Sequence, residues 1–88
     1  MSNYNQASIE GRKLIIKFFA ERMVNLNISK YRLAKLTEIS EPTIGRYFSL
    51  EIDMPLTNYL KICGALDLRP YLIPADEDTN EFQFIHFN

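Results

Sequence analysis

Ser29-Lys-Tyr-Arg-Leu-Ala-Lys-Leu-Thr-Glu-Ile-Ser-Glu-Pro-Thr-Ile-Gly-Arg-Tyr-Phe48 carries the most regular apolar spacing of the chain. It predicts two short helices joined by a tight turn, each opened by a serine. Ser29 and Ser40 can each accept a hydrogen bond from an orphan N–H in the first turn that follows. Leu33, Ala34 and Thr37 fall on one side of the first helix, Ile44 and Tyr47 on one side of the second. Ile39 supplies an apolar plug between them. The start of the second helix, Ser40, Glu41, Pro42 and Thr43, then has no core to serve and faces outward.

Working outward, three blocks recur in a recognisable order: Leu26-Asn-Ile-Ser-Lys-x-x-Leu-Ala-Lys, Ile39-Ser-x-x-Thr-Ile-x-Arg, and Leu60-Lys-Ile-Cys-Gly-Ala-Leu-Asp-Leu68. In these the chain resembles the phage-repressor and Cro type (XRE type) of helix-turn-helix domain, over roughly residues 14 to 68. The resemblance implies a mainly α, lambda-repressor-like bundle of four to five short helices whose second motif helix enters the DNA major groove. Two features depart from the family pattern. Glu38 stands where a turn glycine is usual, and positive φ at a non-glycine residue costs about 1 kcal/mol or more. Met23 and Phe48 stand where the family often buries an arginine–glutamate pair, an exchange that is often neutral or stabilising.

The resemblance also implies roles. Glu41, Pro42, Thr43 and Arg46 match base-facing positions, and Arg46 has the donors to hold guanine O6 and N7 together. Glu41 can accept from cytosine N4, and Pro42 or Thr43 can touch a thymine methyl. Ser29, Lys30, Ser40, Tyr47 and Ser49 match backbone contacts, which set register without reading sequence. Plainer readings stand beside these. Glu41 complements the helix dipole, Pro42 suits a first helical turn, and Arg32 and Lys35 read as solvated surface charge.

Periodicity predicts a first helix from near Ser8 to about Asn25, with Ile15, Phe19, Met23 and Leu26 inward. After a loop from Ser49, Asp53 and Pro55 mark another helix that runs to about Leu66, with Tyr59, Ile62, Cys63 and Leu66 facing the core. Residues 1–70 therefore read as the helix-turn-helix domain and residues 71–88 as a C-terminal arm. In that arm Tyr71-Leu-Ile73 and Phe82-Gln-Phe-Ile-His-Phe87 predict a short β-hairpin around a polar loop. Phe82 and Phe84 would face one side, Ile85 and Phe87 the other. A strand apolar on both faces invites pairing, so the arm is expected to pack on the helices and to pair with the same segment of a second subunit. Tyr71, Ile73, Phe82, Phe84, Ile85 and Phe87 are then the expected dimerisation residues of a homodimer. The alternative is an arm folded only onto its own domain.

The total charge of −1 argues at first against a nucleic-acid partner. Its distribution reverses this: residues 12–50 hold eight basic and three acidic side chains, net +5, and residues 51–88 are net −5. Only the local field meets a ligand, because separated charges are screened beyond about 10 Å at ordinary salt. Cys63 and His86 are the only residues of their kinds, so no disulfide framework, metal cluster or nucleophile–base pair is expected, and no cofactor or enzymatic activity. No apolar run approaches the roughly 20 residues needed to span a membrane. The expected product is a cytoplasmic regulator, bacterial or phage-encoded, that binds double-stranded DNA as a repressor at an inverted repeat. The alternative is the antitoxin of a toxin–antitoxin pair, its acidic rear and arm holding the toxin.

Overall fold

A computed structural model describes residues 3–74 and 76. Four helices account for the regular structure in them: α1 (Asn3–Leu26), α2 (Lys30–Thr37), α3 (Glu41–Phe48) and α4 (Leu56–Ala65). Among the described residues the fold is mainly α, as expected, with four of the anticipated four to five helices. Residues 71–73 carry no strand. A strand exists only with a ladder partner, and the expected one, residues 82–87, lies outside the described residues.

The core forms where the four helices converge. Leu33, Ile44, Ile62 and Leu66, from α2, α3, α4 and the α4 cap, lose all contact with solvent, and Phe19 and Met23 of α1 close over them. Phe19 lies against Tyr59 with ring centroids 5.8 Å apart. The apolar pair Met23 and Phe48 behaves as the sequence suggests, Met23 inside the core and Phe48 packed against it.

One boundary differs from expectation. Helix α1 starts five residues before Ser8, because nothing in Asn3-Tyr-Asn-Gln-Ala breaks a helix. Side-chain pairs brace its first turns: Gln6 donates to Glu10 at 2.9 Å, and Glu10 lies 3.9 Å from Lys13. The start of α4 falls where Asp53 and Pro55 mark it: Pro55 is the cap residue, without a side-chain hydrogen bond, and the Asp53 carboxylate meets Arg12 at 3.2 Å.

Leu26 is also more exposed than its predicted inward place, and the reason is the way the helices end. The Ile28 N–H returns to Met23 O and the Asn27 N–H to Val24 O, a Schellman turn with Asn27 at φ 57°. The chain thus reverses after Leu26, and Ile28 folds back on the core instead. The same pattern ends α3 with Leu50 at φ 65° and α4 with Asp67 at φ 55°. Glu38, after α2, has φ 61° and donates its N–H to Ala34 O. The strained turn expected at Glu38 is therefore present. The buried Thr37 hydroxyl donates to Leu33 O and accepts from the Ile39 N–H, so that N–H is not stranded in the turn. Because Glu38 is exposed and its side chain packs on nothing in the core, Glu38→Gly should raise unfolding free energy by about 1 kcal/mol. Thermal denaturation should show a Tm higher by about 4–8 °C.

Arg12 and Arg22, counted by charge with the basic front, are drawn to the carbonyl ends of other helices. Arg22 donates from Nε to Leu66 O at 2.9 Å, and its guanidinium also lies near the Asp67 carboxylate, at 4.0 Å. Arg12 donates to Leu50 O at 3.4 Å. Cations suit these places because the last carbonyls of a helix are unpaired and carry its negative dipole end.

Candidate nucleic-acid interface

The outer surface of α2 and α3 is built from the two serine caps. Ser29 Oγ accepts the Arg32 N–H at 3.0 Å, and Ser40 Oγ accepts the Thr43 N–H at 3.3 Å. Ser40 also donates to Thr43 Oγ1 at 2.7 Å, which fixes the Thr43 rotamer at the front of α3. Pro42 follows Glu41 in the first turn, where its missing N–H leaves no bond unmade. Ile44 and Tyr47 bury the opposite face of α3, so Glu41, Pro42 and Arg46 project outward.

The far end of α3 is anchored by its carbonyls. Arg46 O accepts from the Glu51 N–H at 3.0 Å and from Ser49 Oγ at 3.2 Å. The backbone beneath Arg46 is thereby pinned, and among the described residues its guanidinium makes no ion pair. Lys30, the first residue of α2, lies with its ammonium 5.6 Å from the centre of the Phe48 ring. Lys35 holds a similar place over Tyr31 at 5.3 Å. Both cations rest on aromatic faces with their charge toward water.

Two expected site residues are placed differently from the rest. Tyr47 is only 4% exposed, and its hydroxyl accepts from Asn58 Nδ2 at 2.7 Å. It ties α3 to α4 and has little surface left for a DNA backbone. Ser49 is exposed, but its hydroxyl also lies 3.0 Å from the Glu51 carboxylate, which repels phosphate. Of the expected dimerisation residues, Tyr71 and Ile73 are exposed. Phe82, Phe84, Ile85 and Phe87 lie outside the described residues.

The structure also brings in residues that spacing does not reveal. Asn58 supports Tyr47, while Asp53 and Asp67 meet Arg12 and Arg22. These contacts join positions far apart in sequence, and a single chain carries no signal for them. Their effect on charge is direct. With Arg12 and Arg22 turned to the rear, the exposed cations around the two motif helices are Lys30, Arg32, Lys35 and Arg46.

Cys63 is buried, and burial pushes its thiol above the ordinary range, with a hydrogen bond to Tyr59 opposing in part. It is neutral at physiological pH and a poor nucleophile. No helix among the described residues is long and apolar enough to cross a membrane.

A family model described as the Cro/C1-type HTH DNA-binding domain matches residues 19–71, more than half of the chain. The chain belongs to this family. The matched span takes in α2, α3 and α4 with the core-forming end of α1, so the Cro/C1-type region coincides with the packed helices. No curated protein and no solved structure matches the chain.

Proposed function

We propose that this Cro/C1-type protein binds double-stranded DNA sequence-specifically and acts as a transcriptional repressor. The observation that carries the reading is α3 itself. Its core face is buried, both ends are pinned by hydrogen bonds, and its outer face is left to Glu41, Pro42, Thr43 and Arg46 within a DNA-binding family domain. A helix held this rigidly can enter a major groove without losing further conformational entropy. In this reading Arg46 forks onto guanine, Glu41 accepts from cytosine, and Ser29, Lys30 and Ser40 hold phosphates. The N-terminus of α2 adds amide donors beside Lys30.

One recognition helix reads too few base pairs for specific binding in a genome. The proposed solution is a homodimer joined through residues 71–88, reading an inverted repeat with half-site centres about 34 Å apart. The exposed Tyr71 and Ile73 support this, together with the aromatic sequence that follows. Occupying such a site blocks polymerase, which makes repression the expected outcome. Selection of bound duplexes from random DNA is the test. It should return a two-fold symmetric site with that spacing. Recovery of a single asymmetric half-site would remove the dimer, and no enrichment would remove the function.

Lys30→Ala should weaken binding to all sequences alike and reduce the slope of log affinity against log salt by about 1, read from titrations at several salt concentrations. A loss confined to the selected site would reassign Lys30 to base reading.

A further inference from the structure

Beside the proposed phosphate clamp lies a groove that the helix packing leaves open. Val24 and Leu26 from the end of α1, Ile28 from the turn, Leu36 from α2 and Phe48 from α3 form its apolar surface, and Lys30 and Arg32 stand at its edge. Val24 is 79% exposed and Leu36 46%. Large apolar side chains gathered next to two cations match an occupant that is apolar and acidic together.

The chain contains one segment of that chemistry. Asp76, Glu77, Asp78 and Glu81 precede Phe82, Phe84, Ile85 and Phe87. The chain that leads to this segment is anchored to the same helix, α1. Arg22 holds the backbone carbonyls at Leu66 and Asp67 against α1, on the side of that helix away from Val24. A helix is about 10–12 Å across, and an extended chain advances about 3.3 Å per residue. The residues between Leu68 and Phe82 are ample to pass around α1. A tethered segment competes at an effective concentration of roughly millimolar, so modest complementarity is enough to dock it.

We propose that the C-terminal segment of the same chain docks in the α1–α2 groove and screens the phosphate-binding edge. Phe82 and Phe84 cover Val24 and Leu36, and the acidic run lies along Lys30 and Arg32. Ile85 and Phe87, on the other face of the segment, stay available to a second subunit. Phosphate and tail then compete for the same cations. Non-specific DNA, held by charge alone, loses that competition more readily than a site that also engages α3. The docking stands on the groove and the tail chemistry, and the screening rests on the DNA-binding reading above.

The test has two arms on the full-length chain. In the first, Phe82→Ser with Phe84→Ser is compared with wild type by backbone amide chemical shifts. Changes at Val24, Ile28, Lys30 and Leu36 are expected, and they should not depend on protein concentration. Changes confined to residues 71–88 would overturn the docking, and groove changes that vanish on dilution would assign the groove to a second copy's tail. In the second arm, Val24→Ser with Leu36→Ser, both at exposed positions and without change of charge, is titrated with a random-sequence duplex at low salt. Binding about tenfold tighter than wild type is expected, from cations released to phosphate. Unchanged or weaker binding would overturn the screening. If neither protein binds any duplex, the DNA-binding reading fails, and the amide shifts still decide whether the tail docks.

Discussion

Replacing Leu33 with alanine should lower the unfolding free energy by about 2–5 kcal/mol, the range for a large buried aliphatic side chain that leaves a cavity. Leu33 is 0% exposed and lies on α2, the helix that packs on both α3 and α4. Its neighbours are fixed by more than packing. The Leu33 carbonyl accepts the Thr37 hydroxyl, and Thr37 in turn accepts the Ile39 N–H of the turn. The site therefore has little freedom to collapse around the missing atoms. Small domains have net stabilities of about 5–15 kcal/mol, so the loss is a large share of the whole. Urea denaturation should show a lower midpoint with an unchanged slope, because the surface exposed on unfolding barely changes. A loss below about 1 kcal/mol, typical of a surface position, would mean that α2 is not the centre of the core.

Arg46→Ala should weaken binding to the selected operator by about 1–3 kcal/mol, roughly 5- to 150-fold, and relax specificity at one base pair. The expectation rests on how Arg46 is held. Its carbonyl is engaged twice by the turn after α3, while its side chain is exposed and makes no ion pair among the described residues. A fixed backbone under a free guanidinium places the donor fork reproducibly. Arg46→Lys keeps the charge and loses the fork, so it should restore affinity for random DNA better than specificity. Equal losses on operator and random duplexes would make Arg46 a phosphate contact and defeat its assignment as a base reader.

Much of the fold is legible in residues close together in the chain. Ser29 and Ser40 are caps because a serine before an apolar-periodic run has orphan N–H groups within its own reach. Glu38 takes a left-handed conformation because the spacing between two helices of this kind demands one there, whatever the residue. The early start of α1 has an equally local cause, since no helix breaker lies before Ser8.

The candidate site divides in the same way. The chain alone determined that a two-helix motif exists, which residues cap it, and which side of α3 faces outward, since these follow from periods of 3.6 residues and hydrogen bonds spanning three or four positions. Only the tertiary structure decided which cations remain with that surface. Arg12 and Arg22 belong to the basic half by composition, yet they turn to the carbonyl ends near Leu50 and Leu66, where unpaired oxygens await them. Tyr47 goes inward to meet Asn58 for a similar reason: a phenol at the core's edge needs a partner for its hydroxyl. Such pairings depend on where helix ends meet in space, and that is set by packing rather than by neighbouring residues.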